Sequence, residues 1–196
     1  MGGFLIIKAM IITSSPNKDG LTESCGESAK KGVKEGNGES LMIHLNDKNI
    51  LNCNACDHGW GTCLQENHCQ LDDDFDDIHN AMGTVDAYVV ITPVYWGDMS
   101  ESAKAFFDRL RRCESSFDPA NINDIQNKPF ICVAAAGGSG NGTLSCLSNM
   151  ERLFLHLNKM NYKNITNFDY IGITQRNKSY MLNAIHDSAK KMVLGD

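Results

Sequence analysis

The segment Ala87–Arg109 constrains this chain more than any other. Five apolar residues, Ala87-Tyr88-Val89-Val90-Ile91, run into the turn Thr92-Pro93-Val94-Tyr95-Trp96-Gly97-Asp98, and the turn runs into a helix. A short apolar run without alternation suits a strand buried on both faces, as in a parallel sheet covered by helices. The helix over Ser100–Arg112 puts Ala103, Phe106, Phe107 and Leu110 on one stripe. Ser100 can cap it, with Ala103 standing where a full capping box has Glu. Ligands of open α/β sheets lie outside the carboxyl ends of strands, so an aromatic turn there could hold a flat, conjugated ligand.

The rest of the chain repeats the alternation. Strands are expected at Phe4–Thr13, Ser40–Leu45, Pro129–Ala136 and Tyr170–Thr174. Helices are expected at Leu21–Lys34, Asp72–Met82, Leu144–Leu157 and Leu182–Val193. Asp72, Asp73 and Asp74 crowd the start of one helix, where its dipole favours negative charge. Phe117–Asn127 reads as a polar loop. Strand–helix alternation predicts an α/β three-layer sandwich, a parallel sheet with helices on both faces. The expected organisation is a single domain over residues 1–196, with a cysteine-rich excursion at 47–70.

Composition limits the partners. Lys+Arg 18 against Asp+Glu 24 gives a net charge of -6, which argues against nucleic acid. No apolar run is long enough to span a membrane. Phe4–Ile12 is short, contains Lys8 and lacks a basic leader, so it reads as a first strand and not a signal peptide. The eight cysteines are then expected to be reduced thiols in a cytoplasmic protein.

Three strand ends carry unusual loops that should open on one sheet edge. In a sheet ordered 2-1-3-4-5 the order reverses between the first and third strands, and an FMN site is expected at that crevice. Loop one offers Ser14, Ser15, Asn17 and Thr22 beside a helix start, which suits a phosphate monoester. An ordinary Ser-Pro turn fits the same residues. Loop two offers Pro93, Val94, Tyr95, Trp96, Gly97 and Met99, which could grip a flavin ring or cover a subunit interface. Loop three, Gly137–Gly142, lets backbone approach a ligand. Neither a G-x-S-x-G elbow nor a Walker or dinucleotide glycine loop is present. The histidines read as satisfied surface groups.

Two motifs carry a resemblance. Ser15-Pro16-Asn17-Lys18-Asp19-Gly20-Leu21-Thr22 resembles the phosphate loop of the NADPH-dependent FMN reductase and iron–sulfur flavoprotein group of the flavodoxin-like superfamily. Thr92-Pro93-Val94-Tyr95-Trp96-Gly97-Asp98-Met99-Ser100, with Lys104-Ala105-Phe106 and Asp108-Arg109, resembles that group's second motif. The resemblance implies a flavodoxin-like fold with FMN as cofactor and NAD(P)H as co-substrate. It places the phosphate on Ser15, Asn17 and Thr22, and the ring on Thr92, Pro93, Tyr95, Trp96, Gly97 and Met99, flanked by Gly137 and Gly138. Where many relatives carry asparagine, this chain has Leu21. The resemblance further implies an oxidoreductase whose chemistry runs at flavin N5, with no catalytic side chain. The acceptor would be a quinone, a flavin, an aromatic compound or a protein, and the assembly a homodimer or homotetramer.

Cys53-x2-Cys56-x6-Cys63-x5-Cys69 is wider than the compact cysteine motif of iron–sulfur flavoproteins, because residues 57–62 expand its middle gap. Four readings stay open: a [4Fe–4S] cluster, an all-cysteine zinc site, no metal and four reduced thiols, or a redox-active Cys53/Cys56 pair, for which no activating helix N-terminus is evident. Trp60 and His58 could line the acceptor side of the flavin. Beside the enzyme stand two alternatives, an electron carrier without small-molecule turnover and a non-redox domain using the crevice for another phosphorylated ligand.

Overall fold

The computed structural model describes residues 6–115, 125, 128–157 and 168–195. Five strands form one parallel sheet in the order β2-β1-β3-β4-β5. They are β1 (Lys8–Thr13), β2 (Glu39–His44), β3 (Ala87–Pro93), β4 (Phe130–Ala136) and β5 (Phe168–Thr174). The helices are α1 (Leu21–Glu35), α2 (Cys56–Gly59), α3 (Thr62–Gln65), α4 (Phe75–Gly83), α5 (Glu101–Cys113), α6 (Thr143–Leu157) and α7 (Lys178–Leu194). The sheet is the flavodoxin-like one expected from the sequence.

Alternation along the strands divides the core. Met10, Ile12, Tyr88, Val90, Phe130 and Cys132 face one layer, where Phe75, Phe106, Phe107 and Phe154 of α4, α5 and α6 pack. Ala9, Ile11, Val89, Ile91, Ile131 and Val133 face the other layer, onto α1 and α7. Each fully buried Phe or Ile removes enough apolar surface from water to contribute about 1.5–3 kcal/mol. The hydroxyl of Tyr88 would be costly inside that layer, and it donates to the Met82 carbonyl at 2.6 Å.

Several boundaries differ from expectation. β1 begins at Lys8, whose N–H is held by Asp86 at 2.8 Å where pairing to β2 and β3 starts. Phe4 and Leu5 of the expected first strand, and the expected loop Phe117–Asn127 apart from Ile125, lie outside the described residues. α7 starts at Lys178, four residues early, because Thr174 and Asn177 form a capping box just ahead of it. α4 starts at Phe75, so Asp73 and Asp74 precede it. Their carboxylates accept N–H groups of Leu51 at 2.7 Å and Asn49 at 2.8 Å. Hydrogen bonds to the preceding loop tie down this acidic run, and Asp73 also accepts the Phe75 N–H at the start of α4 at 3.0 Å.

The parallel register aligns Thr13 with Ile91, and Thr92 and Pro93 with Ala134 and Ala135. Loops after β1, β3 and β4 therefore open on one edge. β1 leads outward to β2 while β3 leads the other way to β4, so the crevice between β1 and β3 is the topological switch point.

Candidate functional site

Loop one leaves β1 at Ser14 and reaches α1 at Gly20. Gly20 occupies the N-cap without a side-chain hydrogen bond, so the first N–H groups of α1 have no cap acceptor. Such a helix start attracts anions. Ser15 Oγ accepts the Asn17 N–H at 3.2 Å, and Asn17 Oδ1 accepts the Asp19 N–H at 3.3 Å. These two local turns curl the loop around the helix start. Thr22 is buried in the first turn of α1. Ser14 plays a different part, because its hydroxyl donates to the Ile91 carbonyl at 3.3 Å.

Loop two is a tight hairpin. Tyr95 and Asp98 exchange backbone hydrogen bonds of 2.9 and 3.0 Å. Between them Trp96 and Gly97 both have positive φ, 52° and 79°, as a type I′ turn requires. Left-handed backbone costs a residue with a Cβ about 1–2 kcal/mol. The Trp96 side chain is fully exposed and Tyr95 is 44% exposed. Thr92 closes the base, since its buried Oγ1 accepts the Ser100 N–H at 3.0 Å. Val94 continues the sheet by donating to Ala135, and Met99 is buried beneath the turn.

Ser100 ties loop two to loop one. Its hydroxyl donates to the Ser14 carbonyl at 2.8 Å and accepts the Ala103 N–H at 3.4 Å, the expected cap. Loop three meets loop two glycine to glycine, Gly142 on Gly97. Over Gly137 and Gly138 the space is open: a Cβ on either would meet nothing within 4 Å. The crevice thus offers uncapped N–H donors at one end, an outward aromatic pair at its turn and bare backbone at its third side. A phosphorylated planar molecule such as FMN fits that combination.

The cysteine loop lies along α5, which starts at loop two. Cys53, Cys56, Cys63 and Cys69 are half-buried, free thiols lining one cavity together with Arg109 and Arg112. Among the described residues, no three Cys, His, Asp or Glu side chains converge as a single-ion site does. α2 is one irregular turn: Ala55, Asp57 and His58 around it have φ of 47°, 46° and 63°. It offers no regular helix N-terminus to activate a thiol. Left-handed non-glycine residues grouped in one loop are strain that its surroundings must hold. Burial pushes the Cys63 thiol above its usual value. Burial also raises Cys25 and Cys146, each to about 12, so these core thiols stay neutral. Four tethered thiols beside two guanidinium groups fit an anionic thiolate-bound group.

Sequence reasoning missed two buried pairs of polar side chains. Arg109, 1% exposed, binds Asp73 through both terminal nitrogens, Nη2 to Oδ1 at 2.9 Å, and Nη1 also donates to the Leu51 carbonyl at 3.2 Å. Burial alone would raise the Asp73 carboxyl, but Arg109 and the N–H groups of Leu51 and Phe75 outweigh it and hold it below the usual range. His79 and Glu114 form the second pair, Nε2 to Oε1 at 2.6 Å. His79 is therefore not a surface histidine: α4 turns it inward against Phe75 toward the end of α5. The Asp-Arg of the second motif was one signal for the first pair. Nothing local marked the second.

A 2-1-3-4-5 parallel sheet with three linked loops at its switch point defines a flavodoxin-like protein. The chain belongs to the NADPH-dependent FMN reductase family, which it matches over residues 7–168. This is an enzyme family of flavin-dependent oxidoreductases. An iron–sulfur flavoprotein of Methanosarcina thermophila is 31% identical over 134 residues, 67% of this chain and 63% of that protein, so the chain spans under two thirds of that relative. A second iron–sulfur flavoprotein, from Methanocaldococcus jannaschii, is 28% identical over 149 residues, 76% of this chain and 72% of that one. The solved NAD(P)H:quinone oxidoreductase from Methanothermobacter marburgensis superposes with a TM-score of 0.74 and 17% identity over 96% of each chain, a likeness of fold. Among the described residues no helix is long and apolar enough to cross a membrane.

Proposed function

We propose that this chain binds FMN in the crevice between β1 and β3 and acts as an NAD(P)H oxidoreductase. Its acceptor would be a quinone, a flavin, an aromatic compound or a protein. The single observation that carries this is the linkage of three ligand-ready loops, Ser100 to Ser14 and Gly97 to Gly142. When bound, FMN supplies hydride and single-electron chemistry.

The residues do the positioning. Ser15, Asn17 and Thr22 hold the phosphate with the first N–H groups of α1. Ser14 braces that loop against β3 through Ile91. Thr92, Pro93, Val94, Tyr95, Trp96, Gly97 and Met99 form the ring-binding turn, and Gly137 and Gly138 leave room on the remaining side. No side chain acts as nucleophile or general base. The purified protein, kept anaerobic, should be yellow, and adding NADPH or NADH should bleach its flavin band. A colourless protein that takes up no added FMN would end the proposal. Light scattering should give the mass of a homodimer or homotetramer.

A second reading has its own support, the cysteine cavity beside α5. Here Cys53, Cys56, Cys63 and Cys69 hold a [4Fe–4S] cluster and the chain relays electrons between proteins. Reduction by a ferredoxin-like donor but by neither nicotinamide nucleotide favours it. Iron and acid-labile sulfide, lost in a Cys56→Ser variant, would count for the cluster.

A further inference from the structure

One wall of the cysteine cavity is basic. Arg109 and Arg112 stand one turn apart on α5 and both line it. Arg109 is buried and its terminal nitrogens are spent on Asp73 and Leu51, with the Phe75 ring 4.2 Å away. Its Nε–H is also buried, and among the described residues it has no hydrogen-bond partner. The Cys69 side chain lies within hydrogen-bonding reach of this guanidinium. Arg112 donates to the Gly59 carbonyl and lies over the Trp60 ring at 5.2 Å. Gly59 and Trp60 are in the stretch that widens the gap between Cys56 and Cys63. Among the described residues no carboxylate pairs with Arg112, whereas Asp73 neutralises Arg109.

A buried guanidinium within reach of Cys69 and a half-buried cation that, among the described residues, has no carboxylate partner lie beside the same thiols. Both are satisfied by an anionic occupant, since groups removed from water need hydrogen bonds and opposite charge. An iron–sulfur cluster on four thiolates is such an occupant, and its potential depends on net charge and on hydrogen bonds to sulfur.

We propose that Arg109 and Arg112 are the positioning residues of the cysteine cavity, Arg109 supplying a hydrogen bond from Nε–H and Arg112 supplying the compensating charge for an anionic iron–sulfur cluster. This rests on the second reading above. Arg112 also holds the Gly59–Trp60 extension, so the wide cysteine spacing closes on the cluster. A positive group and a hydrogen bond to sulfur each favour the more reduced, more negative cluster, so Arg112 through its charge and Arg109 through its Nε–H raise its potential.

The test uses the full chain reconstituted anaerobically with iron and sulfide. The variants are Arg112→Met, Arg112→Lys, and the pair Asp73→Asn with Arg109→Met, which removes both buried charges together. Acid-labile sulfide, midpoint potential and iron release to a chelator are measured, with flavin content as the folding control. Arg112→Met and the double variant should shift the potential negative and release iron about tenfold faster or more, the usual cost of losing an outer partner. Arg112→Lys should restore the potential, because it restores the charge, but not the slow release. Wild-type potential and release rate in Arg112→Met and in the double variant overturn the proposal alone. A wild-type chain that takes up no cluster overturns both the proposal and the relay reading. If the double variant fails to fold, Arg112→Met decides by itself.

Discussion

A Cβ on Gly142 would lie 2.6 Å from the Cα of Gly97, so the turn after β3 and the loop before α6 touch backbone to backbone. Gly142 also has φ +82°, where a Cβ is strained. Gly142→Ala should therefore cost about 1–3 kcal/mol in denaturant unfolding and weaken FMN binding, as the turn is pushed outward. Gly137→Ala is the contrasting variant, because its Cβ meets nothing. It should leave stability within about 0.5 kcal/mol. FMN affinity, followed by the quenching of flavin fluorescence, should still fall if the ring occupies that open space.

Trp96 carries backbone strain while its indole contacts solvent. Trp96→Gly should stabilise the FMN-free protein by up to about 1 kcal/mol, since glycine adopts the left-handed conformation freely. The same change should weaken FMN by about fivefold, the loss of one stacking contact of about 1 kcal/mol. Equal flavin affinity in wild type and variant would remove Trp96 from the site.

Ser100 caps α5 and grips Ser14 with one hydroxyl. Ser100→Ala should cost about 1–2 kcal/mol, the range for a lost N-cap. Its effect should reach loop one, read as faster amide exchange at Ser15–Gly20 than at the centre of α1.

The Asp73–Arg109 pair should make stability sensitive to acid. The folded carboxyl lies below its usual value, near 3.9 in unfolded chains. Its contribution is therefore complete above about pH 4 and is lost as the pH falls through the folded value. Asp73→Asn leaves Arg109 buried and unpaired, at a cost of about 3–5 kcal/mol near neutrality. Melting temperatures of wild type and Asp73→Asn should differ widely at pH 7 and converge in strong acid.

Much of the candidate site was legible because it is local. Thr92–Met99 and Ser14–Thr22 are contiguous stretches at strand ends, and the parallel alternation puts those ends on one edge. The Ser100 cap and the inward stripe of Ala103, Phe106, Phe107 and Leu110 follow from helical spacing and are buried as expected. What escaped was long-range. Asp73 and Arg109 are 36 positions apart, and His79 and Glu114 are 35 apart. An acidic run ahead of a helix and a histidine on a polar-looking helix give no local sign of a distant partner.

By itself, the sequence determined the order of strands and helices, the parallel sheet they must form and the three loops at its edge. Hydrophobic periodicity and turn chemistry act over a few residues, and both are written along the chain. Only the tertiary structure decided how those loops join: Ser100 to Ser14, Gly97 to Gly142, and the cysteine loop to α5 through Arg109 and Arg112. Hydrogen bonds, ion pairs and backbone contacts between distant segments depend on distances in space, which exist only after the sheet has brought the segments together.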